Sequence, residues 1–199
     1  MRVLVACEYS GTVRDAFIRA GHDAMSCDLL PTDAPGPHFQ GDVREVLGDG
    51  WDLMVAHPPC TRLAVSGSRW FHKYRTEQEQ ALDFVRLLMN APIDRIAIEN
   101  PISVISSRIR EPSQVIQPWM FGHMEQKATC LWLKNLPLLE PTDDVYEEMM
   151  KLPRKERERI HFMSPGPDRW KERSKTYQGI ADAMAAQWSK IKQLSLEFA

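Results

Sequence analysis

Four short, uninterrupted apolar runs constrain this chain more than any other feature. They occupy residues 2–7 (RVLVAC), 23–28 (DAMSCD), 51–56 (WDLMVA) and 95–99 (RIAIE). A strand that faces solvent on one side alternates polar and apolar residues, whereas a strand covered on both sides reads as a continuous apolar run. Helical segments lie between them. VRDAFIRAG predicts a helix ending at Gly21, and residues 76–90 place Ala81, Leu82, Val85, Leu88 and Met89 at helical spacing. Strand and helix alternate, which predicts an α/β fold with a mostly parallel sheet and helices on both faces.

Past residue 100 the alternation loosens. KATCLWLKNLPLLEPT reads as a strand followed by a proline-bounded turn, and DDVYEEMMKLPRKERERI as one or two short charged helices broken near Pro153. A last helix is expected over about 177–194, its small residues (GIADAMAAQW) permitting close packing on the sheet. At 199 residues the chain is expected to form a single domain. The formal charge of −2 does not announce a nucleic-acid binder, so such a role must come from local clustering. One cluster exists: residues 151–175 hold nine Lys/Arg against four Asp/Glu. In that stretch PRKERER reads equally as a solvated mixed-charge helix. The tryptophans Trp70, Trp119 and Trp132 are expected to pack. Cys7, Cys27, Cys60 and Cys130 are widely separated, which suggests reduced thiols in the cytoplasm rather than a disulfide framework. No run approaches the roughly 20 apolar residues of a membrane span.

In parallel sheets, ligands sit outside the carboxyl ends of the strands. That rule selects Cys7-Glu8-Tyr9-Ser10-Gly11, Asp28, His57-Pro58-Pro59-Cys60 and Glu99-Asn100-Pro101. If the strands are neighbours, Cys60 and Glu99 share one rim although 39 positions apart. A zinc role for Cys60 lacks companions, because Leu63 stands where a Pro-Cys-x-x-Cys pattern needs its second cysteine, and no metal is expected. Two prolines hold the thiol in one direction, as a nucleophile requires, and Arg62 and a following helix N-terminus would favour the thiolate. On chemistry alone, nucleophile and structural cysteine stay level. Glu99 in an apolar crevice would have a raised pKa and carry a proton at neutral pH, or else be an ordinary turn residue.

The order of these motifs resembles that of the DNA (cytosine-5)-methyltransferases. Pro-Pro-Cys60 follows one strand, Glu99-Asn-Pro the next, and a Gly-containing loop the first. Asp28 matches the family's acidic residue after strand two, and Gly41-Asp42-Val43 its Gly-Asp-(Ile/Val) segment. Gln126-Lys127-Ala128-Thr129 is a partial echo of its Gln/Arg-bearing strand, and Tyr177-Gln178-Gly179-Ile180-Ala181 is similar to its closing helix. Short phage and prophage methylase-like proteins are more similar still, notably in KATCLWLKNLP and PGPDRWKERSKTYQGIADAMA.

The resemblance implies a Rossmann-like S-adenosylmethionine-dependent fold and methyl transfer to cytosine C5 in duplex or single-stranded DNA. Cys60 would attack C6, Glu99 would serve N3, and Lys127 would stand where the family has an arginine. Cys7, Glu8, Tyr9, Ser10, Gly11, Asp28, Asp42, Val43, His57, Pro58, Gly179 and Ala181 would contact S-adenosylmethionine. The chain departs from the family in its single-glycine first loop and in Lys127 and Thr129 replacing Arg-x-Arg. It also leaves only about 40 residues, a basic insertion at about 140–175, in place of a target-recognition domain. A separate recognition partner is therefore conceivable, as is a monomer or homodimer in the cytoplasm of a phage-bearing bacterium. The same chemistry on RNA or a free pyrimidine nucleotide is an alternative, and so is a non-catalytic cofactor- or DNA-binding protein.

Overall fold

A computed structural model describes residues 1–167 and 169–190. Seven strands form one sheet: β1 (Arg2–Ala6), β2 (Asp23–Asp28), β3 (His38–Gln40), β4 (Leu53–Ala56), β5 (Arg95–Pro101), β6 (Gln114–Ile116) and β7 (Thr129–Lys134). Their order is β3-β2-β1-β4-β5-β7-β6. The first five are parallel, and β7 runs antiparallel between β5 and β6. The helices are α1 (Thr12–Arg19), α2 (Arg75–Met89), α3 (Ile105–Arg108), α4 (Tyr146–Met150), α5 (Arg154–Arg157), α6 (Arg159–Phe162), α7 (Arg169–Ser174) and α8 (Gln178–Trp188).

The continuous apolar runs are explained by cover on both faces. Leu4, Ala6, Met54, Ala56, Ile96 and Ile98 pack with Leu82, Val85 and Leu88 of α2. The intervening residues Val3, Val5, Leu53, Val55 and Ala97 pack on the other side with Val13, Ala16 and Phe17 of α1 and Ile180, Met184 and Trp188 of α8. This is the expected α/β, Rossmann-like architecture. Because each side chain on these strands leaves water for one core or the other, moving the register by a residue would exchange the two cores.

Several boundaries differ from the sequence expectation. The loop at residues 31–42 contains β3, a three-residue edge strand too short to show a period. Trp51 precedes its strand and is buried with Nε1 donating to the Val46 carbonyl at 2.6 Å. The charged stretch after residue 143 forms three short helices, α4 to α6, rather than one or two. Pro153 starts one of them and Glu158, at φ −106°, separates it from the next. Trp132 is in the core and Trp119 packs edge-on to Tyr146 at 5.0 Å, but Trp70 is half exposed. The last helix ends at Trp188, and residues 191–194 of its expected span lie outside the described residues. Among the described residues no helix is long and apolar enough to cross a membrane.

Candidate functional site

Strand register decides which residues share the rim. Ala6 pairs with Ala56 and Ala56 with Ile98, so the next residues along, Cys7, His57 and Glu99, emerge side by side. β7 enters from the same end, with Thr129 opposite Pro101, which brings Lys127 to that rim although it precedes an antiparallel strand. Side chains alternate across a strand, so His57 and Glu99, cross-strand neighbours in register, project to one face.

Cys60 is exposed at the end of this turn. The His57 backbone N–H donates to the Ala6 carbonyl at 2.9 Å, and the buried Asn100 Nδ2 donates to the Pro58 carbonyl at 2.8 Å. The two prolines and these two bonds fix the path leading to the thiol. Asn100, which the strand-end rule selected without assigning it a role, is a positioning residue. Behind Cys60 the expected helix N-terminus is replaced by a turn: Leu63 and Ala64 N–H groups both donate to the Cys60 carbonyl, and a 3-10 helix follows at Val65–Trp70. The thiol therefore has no helix dipole at its back. Although the residue as a whole is exposed, surrounding protein still desolvates its sulfur and, with the Glu99 charge, pushes its pKa up; Arg173 and Lys127 oppose the shift.

Glu99 does not behave as the sequence predicted. Burial pushes its carboxyl up, but the His57 hydrogen bond and charge, assisted by Lys127, outweigh burial and leave its pKa below the ordinary value. His57 Nδ1 lies 3.0 Å from Glu99 Oε2, with the two side chains 10% and 15% exposed. Burial pulls the imidazole down, yet the same bond, the Glu99 charge and Glu8 raise it overall. The expected protonated acid is thus an ionised carboxylate paired with a histidine. Sequence reasoning placed His57 on the cofactor; the signal for the pair is that each is the first polar residue after an apolar run.

Lys127 closes this side. Its Nζ donates to the Lys175 carbonyl at 3.3 Å and sits 5.5 Å from the Tyr177 ring centre. Tyr177 Oη donates to Glu125 Oε2 at 2.8 Å, and Arg159 pairs with Glu125 at 3.1 Å. The basic segment reaches back over the first loop: Tyr9 Oη donates to the Lys171 carbonyl at 3.2 Å, and its ring lies 5.7 Å from that of half-exposed Trp170. Arg173, on α7, is another residue the sequence reading did not single out. Its charge reaches Cys60 only because α7 folds back across the rim.

The loop after β1 is tightly built. Cys7 has φ 59° and Gly11 φ 76°, and a Cβ on Gly11 would lie 2.5 Å from the Arg14 guanidinium, so only glycine fits there. Glu8 turns inward: Oε1 accepts from Val13 N at 2.7 Å and Oε2 from Arg14 N at 3.2 Å, capping α1. Ser10 Oγ also donates to Glu8 Oε1, so both residues shape the turn. Asp28 is half-buried at the end of β2 and accepts from Leu30 N at 2.9 Å through Oδ1. Asp42 caps the 3-10 turn at Val43–Glu45 and pairs with Arg44 at 2.7 Å. Burial first, then the charges of Asp28 and Asp42, push the Cys7 thiol up, and the same causes raise Cys27 to about 12. This end of the rim is electronegative.

Three of the expected contacts lie in the packing. Val43 lies in one core at 4% exposure and Ala181 in the other at 0%, so their side chains are held by packing. Gly179 belongs to helix packing: its N–H donates to His123 Nε2 at 3.0 Å, and a Cβ there would lie 2.0 Å from the Phe121 carbonyl oxygen. Among the described residues no three His, Cys, Asp or Glu side chains gather to hold a metal.

No protein-family model and no curated protein matches the sequence. Among solved structures, a DNA modification methyltransferase encoded within an E. coli prophage matches at 14% identity and TM-score 0.47, over 72% of this chain and 51% of its own. A mutant of Spodoptera frugiperda DNMT2 matches at 16% identity and TM-score 0.42, over 72% of this chain and 54% of its own. The chain spans about half the length of each.

Proposed function

We propose that this protein transfers a methyl group from S-adenosylmethionine to C5 of cytosine in DNA, through a covalent bond between Cys60 and C6. The observation that carries this reading is the rim constellation: an exposed thiol on a proline-fixed turn, beside a buried carboxylate on the adjacent parallel strand. Cytosine C5 is a poor nucleophile until a thiolate adds at C6, after which the ring reacts as an enamine. Arg173 and Lys127 favour that thiolate against the opposing effects of desolvation and Glu99. Glu99, through the oxygen not engaged by His57, is the group for N3. Removal of H5 then expels Cys60 and restores the aromatic ring. A duplex target must be turned out of its stack to meet this rim.

The cofactor fits the residues present. The Asp28 carboxylate, with one oxygen beyond its Leu30 bond, suits ribose hydroxyls, and the electronegative end of the rim suits a sulfonium cation. Cys7, Tyr9, Ser10, Gly11, Asp28, Asp42 and Pro58 would hold it. When bound it supplies the electrophilic methyl group that activated C5 takes up. The basic residues of α7 and the half-exposed Trp170 offer phosphate and base contacts to the nucleic acid.

A second reading, with RNA or a free pyrimidine nucleotide as substrate, is favoured by one observation. Between β7 and α8 the described chain holds only helices of four to six residues, a small unit for sequence recognition. Both readings are tested with methyl-labelled S-adenosylmethionine and duplex DNA, single-stranded DNA, RNA or dCMP. Label is expected in DNA with wild type and none with Cys60→Ser. Label in no substrate would refute the enzyme readings, and label persisting with Cys60→Ser would refute the nucleophile.

A further inference from the structure

The reaction proposed above asks Glu99 to bring a proton to N3, and Glu99 as it stands holds none. Its pKa is below the ordinary carboxylate value, so at neutral pH it is an acceptor. The only hydrogen bond to its carboxylate among the described residues comes from His57, at 3.0 Å between Nδ1 and Oε2. That imidazole is nine-tenths buried, and its other ring nitrogen, Nε2, is buried without a hydrogen-bond partner among the described residues. Buried polar atoms are rarely left unmet except where a site has a use for them. The charged groups acting on the ring are Glu99 from β5, Glu8 from the loop after β1 and Lys127 from the segment before β7, and the Cys7 thiol emerges beside it after β1. Burial opposes a charge on the imidazole, but the Glu99 hydrogen bond and two carboxylates against one ammonium outweigh it.

We propose that His57 is the residue that supplies N3 with its proton, acting through Glu99; the proposal rests on the cytosine reading above. As Cys60 Sγ bonds to C6, the C5=C6 pair moves to C4=C5 and the C4=N3 pair moves onto N3. Glu99 first takes the proton of His57 Nδ1 on Oε2, the carboxyl group turns that O–H toward the base, and N3 takes the proton, leaving a neutral imidazole and a carboxylate. As C5 takes the methyl group with the C4=C5 pair, the N3 pair re-forms C4=N3. Water then takes H5, the C5–H pair re-forms C5=C6, the C6–S pair returns to sulfur, and the N3 proton goes back to Glu99 and then to His57. No proton is gained or lost by the pair over a turnover. His57 is therefore a positioning and proton-storing residue, and the pair titrates as a unit.

His57→Asn separates this role from a structural one, because an asparagine amide reproduces the Nδ1–H hydrogen bond to Glu99 but cannot give up a proton. Wild type is expected to show a bell-shaped dependence of kcat/KM on pH. Its acid limb follows formation of the Cys60 thiolate, and its alkaline limb follows loss of the His57 proton. His57→Asn is expected to keep KM for DNA, lose kcat by about 10²-fold and rise with pH without an alkaline fall. Nuclear magnetic resonance titration of the imidazole, made without substrate, is expected to give a His57 midpoint that matches one limb of that profile and falls in Glu99→Gln. Wild-type kcat in His57→Asn, or an alkaline limb that persists there, would overturn the proposal. So would a His57 midpoint unmoved by Glu99→Gln. If wild type labels no substrate, the cytosine reading fails and this proposal with it, while the titration still reports whether the pair is coupled.

Discussion

Gly179→Ala separates a packing role for this glycine from a ligand-binding one. Gly179 is the second residue of α8, where alanine would ordinarily gain up to about 1 kcal/mol of helix propensity. Here the new Cβ would sit 2.0 Å from the Phe121 carbonyl oxygen and 3.1 Å from His123 Nε2. An ordinary carbon contact begins at roughly 3.5 Å, so the two backbones must separate by roughly 1.5 Å. That shift strains the bond from Gly179 N–H to His123, worth about 1 kcal/mol, and lifts Ile180, Ala181 and Met184 from their places in the core. Overpacking of this kind costs about 1–3 kcal/mol, so the loss outweighs the propensity gain by about 1–3 kcal/mol. For a chain of this length that lowers Tm by about 3–10 °C. Gly48→Ala is the control, since nothing lies within 4 Å of its added Cβ, and its stability should stay within about 1 kcal/mol of wild type. The assay is thermal and urea unfolding followed by circular dichroism. A Gly179→Ala protein as stable as wild type would refute the reasoning.

Two further outcomes follow from the same geometry. The raised Cys60 thiol pKa means that less thiolate is present at pH 8 than on an ordinary cysteine, so iodoacetamide should label Cys60 more slowly than a free thiol and accelerate through pH 9 and above. Lys127→Met should slow it further by removing a charge that favours the thiolate; peptide mass spectrometry would read both, and fast labelling at pH 7 would contradict the assignment. Arg14 is fully buried and donates to Ser26 Oγ, Thr32 Oγ1, Asp15 Oδ1 and the carbonyls of Ala34 and Pro35. Arg14→Met should cost about 2–4 kcal/mol and expose the Asp33 amide, which donates to the Tyr9 carbonyl, to faster hydrogen exchange; unchanged protection at Asp33 would show that Arg14 does not hold that loop.

What the sequence determined by itself is the local part of this protein. Continuous apolar runs specified β1, β2, β4 and β5 within two residues at each end, because burial on both faces leaves no room for polar residues there. The same runs located the rim, since the first polar residue after each one marks where the chain leaves the core: Glu8, Asp28, His57 and Glu99. Short elements escaped for the opposite reason. β3 has three residues and α5 and α6 four each, too few to display a period. The partner of each rim residue was decided only in three dimensions. Glu8 and His57 occupy similar places after neighbouring strands, yet Glu8 turns to cap α1 while His57 meets Glu99 across the β4–β5 register. Lys127 and Arg173 join Cys60 because β7 runs antiparallel and α7 folds back over the first loop. A pKa depends on charges and burial summed over everything nearby in space, and most of what surrounds Glu99 is remote in sequence. The chain order therefore named the carboxylate, and only the packed sheet decided that it is ionised.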